Sequence, residues 1–173
     1  MAQPPRARGA LRLTTTEQRP ESSPVTGWRY WQLRPDGLLR SVTHRHILWQ
    51  HDEPQVARCL IGGHRAPAAG CACGIHAEPS LEVLREQGLC MAPEEPLVMG
   101  QVAMWGDVVT DDHGLRSELG YPSALWLVTA DASRDLSALQ ALGRYCGETG
   151  TATPAEAVGD IAASILAFQA MSR

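Results

Sequence analysis

Lysine is absent from this chain of 173 residues, and all fifteen of its permanently basic side chains are arginine. Such a bias is what a GC-rich bacterial genome produces, and it reduces what the arginines by themselves say about a partner. Phenylalanine occurs once and aromatics make up 5% of the chain. No apolar run approaches the ~20 residues that a membrane-spanning helix needs. The opening "MAQPPRARGALRLTTTEQRPESSP" has no continuous apolar stretch of the secretory kind, so it reads as a disordered tail over residues 1–25. A transit peptide is the alternative. The expected location is the cytoplasm, without membrane association.

Signatures of nucleophilic and nucleotide chemistry are missing too. There is no G-x-S-x-G elbow, no glycine loop of the phosphate-cradling type and no H-E-x-x-H. No internal repeat is found. The hydrophobic fraction of 44% and the charged fraction of 20% are those of a globular domain. Residues 26–173 are long enough for one domain with its own core.

Charge is unevenly placed. Residues 1–65 carry ten arginines against five acids, and residues 66–173 carry five against fourteen. The two parts either face each other in the fold or present a basic surface to an anionic partner.

The cysteines carry the chemical signal. Five is an odd number in a chain read as cytoplasmic, which argues against a disulfide framework. Three of them fall in "CLIGGHRAPAAGCACGIHAEP", residues 59–79. Cys59, His64, Cys71 and Cys73 form C-x4-H-x6-C-x-C, with Gly62, Gly63, Gly70 and Gly74 among them. Three thiolates and one imidazole satisfy a closed tetrahedral zinc site, and glycines allow the tight turns that such a loop requires. The metal loop is placed at 59–76. The same donor types also hold a [2Fe–2S] cluster in CDGSH-type proteins, in another order and spacing. The bland alternative is a surface loop with unrelated thiols. His76 is a reserve ligand, but "GIHA" reads better as the start of a buried segment.

Other groups are weaker. His44 and His46 in "THRH" fall on one face if that segment is a strand, and with Asp52 or Glu53 they would make a second metal site. Trp28, Tyr30, Trp31 and Trp49 among Arg29, Arg34, Arg40 and Arg45 superficially suit a single-stranded nucleic-acid platform. The pI near 5.8 and ordinary core packing argue against it. Cys90 and Cys146 read as buried cysteines, and "TDDHG" as a turn containing an Asp–His pair. Arg116, Glu118 and Tyr121 either line a cleft or form a strand's solvated face.

The pattern predicts an α+β domain with a mainly antiparallel sheet and two C-terminal helices. "GWRYWQLRPDGLLRSVTHRHILW" reads as a hairpin around the Arg-Pro-Asp-Gly turn. "PSLEVLREQG" reads as a short helix capped by Ser80. "LVMGQVAMWGDVV" and "LRSELGYPSALWLVT" read as strands joined at "TDDHG", with Gly100 and Gly106 marking bulges or close approach. Ser133 would cap a helix carrying Leu136, Leu139, Leu142 and Tyr145 and ended by Gly147. Thr153, Pro154 and Glu156 form a capping box before Val158, Ile161, Ile165 and Phe168.

Three motifs, "GWRYW", "H-x-A-P…C-x-C-G-I" and "G-x-V-x-M-W-G-x-V-V" followed by "LRSELGYP", resemble those of short uncharacterised bacterial proteins, chiefly from actinobacteria. The resemblance covers roughly residues 27–130. It implies that the loop and the glycine–tryptophan strand belong to one domain, and it implies no activity. The sequence thus points to a small zinc-binding accessory or binding module with an unidentified protein or small-molecule partner. Rival readings are a metal-dependent hydrolase or lyase, an iron–sulfur redox protein and, third, a nucleic-acid binder.

Overall fold

The computed structural model describes residues 23–87, 95–112, 114–131 and 135–159. Within these residues the fold is one eight-stranded sheet with three short helices. Strand β1 (Val25–Leu33) turns at Arg34–Leu38 into β2 (Leu39–Ser41), and β3 (Leu48–Trp49) returns against β2. The turn closes as the Arg-Pro-Asp-Gly signal predicts. Gly37 has φ 82°, and Asp36 accepts from the Leu38 amide and pairs with Arg34.

The centre of the sheet is the pair β6 (Leu97–Asp111) and β7 (Gly114–Val128), antiparallel over nearly their whole length. Its register shifts between Gln101 and Val102 and again between Trp105 and Val108, where Gly106 has φ 77°. Only glycine adopts that angle readily, so the bulge sits where the sequence places it.

Strand β1 lies on one side of β6. On the far edge of β7 three short strands follow one another. They are β5 (Ile75–Ala77) against residues 115–117, β4 (Gln55–Val56) against 119–120, and β8 (Thr149–Ala152) against 125–128. The β7–β8 pair is parallel and the others are antiparallel, so the sheet is mixed but mostly antiparallel.

Both faces of the sheet are covered, which is why β1 buries residues of both parities. Trp31 and Leu33 face a core with Trp49, Val102, Met104, Leu125 and, from α2 (Leu136–Leu142), Leu142. Tyr30 faces the opposite core with Met99, α1 (Leu81–Gln87) through Leu84, and Ala157 and Val158. The Tyr30 hydroxyl donates to the Ala157 carbonyl at 2.5 Å, tying the last helical segment to β1.

Helix α1 begins at Ser80, whose Oγ accepts from the Val83 amide. The capping box forms reciprocally: the Thr153 amide donates to Glu156 Oε2 at 2.7 Å and the Glu156 amide to Thr153 Oγ1 at 3.3 Å. Residues 154–159 are helical behind it.

Several expectations are corrected. The C-terminal part does hold two helical segments, α2 and residues 154–159, but β8 intervenes between them. Helix α2 ends at Gly143 rather than Gly147. Leu136 is exposed, while Tyr145, beyond the helix, is buried. It accepts from the Leu39 amide and donates to the Trp49 carbonyl. The segment around His44 and His46 is a loop, not a strand; their rings meet edge to face at 6.1 Å. The predicted tail up to residue 22, Gly88, Cys90, His113, Ser133, Ile161, Ile165 and Phe168 lie outside the described residues.

Candidate metal centre

The loop from residue 57 to residue 74 has no regular secondary structure, yet both ends are fixed. Cys59 follows β4 and Cys73 precedes β5 by one glycine, and both strands pair with β7. One strand edge therefore holds the two ends of the loop close together.

Inside the loop, one donor atom from each of Cys59, His64, Cys71 and Cys73 lies within 4.8 Å of the others. The Cys59 and Cys71 sulfurs are 3.9 Å apart, and His64 Nε2 is 3.3 Å from Cys73 Sγ. Zn–S bonds of ~2.3 Å and Zn–N bonds of ~2.0 Å at tetrahedral angles give edges of about 3.8 Å for S–S and about 3.5 Å for S–N. These two separations are close to those edges, and the other donor pairs lie within 4.8 Å. They are far longer than the ~2.05 Å of a disulfide, and the three cysteines are free. Among the described residues no further Cys, His, Asp or Glu joins the group. This His/Cys set can hold a metal ion.

The backbone is arranged around the sulfurs. The Gly62 amide donates to Cys59 Sγ at 3.2 Å. That bond, followed by one from Ile61, holds the Cys59 thiol below its ordinary range, because an N–H favours the thiolate. Burial pushes the Cys73 thiol the other way. A Cβ on Gly62 would come within 2.6 Å of the His64 ring, so the turn can hold the imidazole close only if residue 62 lacks a side chain.

The C-x-C pair is held from beneath by Arg116 of β7, which is 1% exposed. Its Nη1 donates to the carbonyls of Cys71, Cys73 (3.0 Å) and Ala68 (3.5 Å), and its Nη2 pairs with Asp111. Arg116 is thus neither a cleft residue nor part of a solvated face. A buried guanidinium organises the loop by satisfying carbonyls that would otherwise lose water. No local sequence signal marks Arg116 for this role, because the carbonyls it meets lie 43 to 48 positions earlier.

The remaining candidates fall elsewhere. His76 is partly buried on β5, outside the donor group, and its Nε2 donates to the Ala72 carbonyl at 2.7 Å. Burial is the main cause that lowers its pKa. Glu118 binds the exposed Arg65 through both carboxylate oxygens, and Tyr121 donates to the His51 carbonyl. Cys146 is partly buried and donates to the Glu148 carbonyl. Trp31, Trp49 and Tyr30 are core residues. Trp28 is stacked on Trp126 with ring centroids 5.6 Å apart. No helix among the described residues is long and apolar enough to cross a membrane.

No protein-family model, curated protein or solved structure matches this chain.

Proposed function

We propose that this chain is a small bacterial cytoplasmic zinc protein that acts as a binding or accessory module, with zinc in a mainly structural role. The observation that carries the reading is the convergence of Cys59, His64, Cys71 and Cys73 within 4.8 Å. Four protein donors complete a tetrahedral zinc shell and leave no position for water or substrate, which is the pattern of structural rather than catalytic zinc. The metal would staple to the sheet a loop whose large apolar side chains, Leu60 and Ile61, are exposed, between two strands too short to hold it alone.

The close spacing favours one ion over a two-iron cluster. Such a cluster shares its ligands between two irons and spreads them further apart than a single tetrahedron does.

Elemental analysis of the purified protein, together with its visible spectrum, tests the proposal. The expected result is one zinc per chain and no colour. Replacement by cobalt should give the intense ligand-field bands of a tetrahedral thiolate site. Stoichiometric iron with visible charge-transfer absorption would overturn zinc in favour of a redox centre. A metal-free protein with unchanged thermal stability would overturn the structural role.

A further inference from the structure

Arg29 stands apart from the other arginines. Arg34, Arg40, Arg65 and Arg116 each have a carboxylate partner, in Asp36, Glu95, Glu118 and Asp111. Arg29 forms no ion pair with a carboxylate among the described residues, although its partly buried guanidinium lies against two indoles. Its Cζ lies 5.1 Å from the Trp31 ring centroid and 4.7 Å from that of Trp49. A charge placed this way is costly unless it is paired, and the rings offset only part of that cost.

The hydrogen bonds that Arg29 makes are to neutral acceptors. Nη1 donates to the His76 carbonyl at 3.1 Å and Nη2 to Ser41 Oγ at 3.2 Å. Each terminal nitrogen retains a second N–H. Nε is buried without a partner. Ser41 Oγ also accepts from Trp49 Nε1 at 3.3 Å, so both of its bonds are made as an acceptor and its own proton is free to donate. His76 donates through Nε2 to Ala72, which leaves Nδ1 for another partner. Free N–H and O–H groups thus meet between β1 and β2, and no carboxylate among the described residues pairs with Arg29.

We infer that Arg29 and Ser41 form a binding site for a small oxyanion, a carboxylate or phosphate group. The two remaining terminal N–H groups of Arg29 match two oxygens of such a group, and the Ser41 hydroxyl supplies a further donor. Burial lowers the pKa of Arg29 to about 10, the direction expected for a poorly solvated cation. The four cysteine and histidine donors of the metal centre are not part of this site.

The test is a titration of the intact, metal-loaded protein with sodium phosphate and, separately, sodium acetate. Chloride keeps the ionic strength constant. The indole N–H resonance of Trp49 and the ring resonances of His76 report on the site, and the Trp126 indole on the opposite face is the control. Saturable shifts confined to the site are expected at concentrations up to about 50 mM, since a single small anion site binds in the millimolar range. Saturation by phosphate alone identifies a phosphate site, by acetate alone a carboxylate site, and by both a general oxyanion site.

Arg29→Met should abolish the shifts. Ser41→Ala, which removes the hydroxyl donor, should weaken them roughly threefold. The inference is overturned if neither anion gives a saturable shift. It is also overturned if Ser41→Ala and every folded Arg29 variant bind as the wild type does. Neither result bears on the metal, whose content is measured independently.

Discussion

Arg116 Nη1 lies 3.0 Å from the carbonyl oxygen of Cys73, so a residue in the middle of the sheet sets the backbone of a metal-loop residue 43 positions earlier. The same nitrogen also reaches the carbonyls of Cys71 and Ala68. Arg116→Met would leave those acceptors and Asp111 without their partner. It should lower stability by about 3 kcal/mol, by comparison with other buried groups that lose a charged partner. Metal affinity should fall roughly 10–100-fold, as when other supporting partners of ligands are removed. Denaturant unfolding and competition with a chromogenic chelator read the two effects. Arg116→Lys keeps the charge without the planar fork and should fall between Met and wild type.

Cys71→Ser should lose metal and stability together, because a hydroxyl is a poor zinc ligand and the loop has little core of its own. Cys146→Ser, outside the donor group, should retain one metal per chain. EDTA should lower the melting temperature of the wild type and of Cys146→Ser and leave that of Cys71→Ser unchanged. A Cys71→Ser protein that melts like the wild type would show that the metal does not support the fold.

Gly62→Ala places a methyl 2.6 Å from His64 Nδ1. The imidazole must then swing away from Cys73, and metal affinity should drop at least about tenfold, the loss expected when ligand geometry is disturbed. Gly147→Ala, with open space around its Cβ, is the control and should bind metal normally. Chelator competition distinguishes them without reference to stability.

The Arg65–Glu118 pair makes a pH-dependent but small contribution. The Arg65 guanidinium, first through its hydrogen bonds, holds the Glu118 carboxyl below the ordinary carboxylate range. A folded-state pKa below the unfolded one means that the stabilisation is fully present above about pH 4.3 and is lost as the pH falls through the lowered value. Arg65 is 72% exposed, and solvent screening keeps the pair's contribution small. Wild type should therefore exceed Glu118→Gln in stability only slightly at pH 7. The difference should shrink toward zero in acid when both proteins are compared without metal. A gap that widens in acid would show that another group governs the site.

The elements legible in the sequence were those built from neighbouring residues. The Arg-Pro-Asp-Gly turn, the Ser80 cap and the Thr153–Glu156 box each consist of a side chain answering a backbone group within a few positions. The four metal donors were legible for a similar reason, since ligand type and intervening glycines limit how such a loop can close. The strand of β8, only four residues long, was not, because what makes it a strand is the edge of β7 rather than its own composition. Nor was the buried state of Arg116 or the unanswered charge of Arg29, which depend on residues 43 to 48 positions away.

The sequence by itself therefore determined which atoms are able to hold a metal. The tertiary structure decided that they meet and which arginine supports them. It also buried Trp31 and Trp49 in the core, away from any surface on which bases could stack. The physical reason is range. Ligand chemistry and capping act over a few bonds or one turn. The partners of a buried charge or an aromatic ring are set by sheet pairing between segments far apart in the chain.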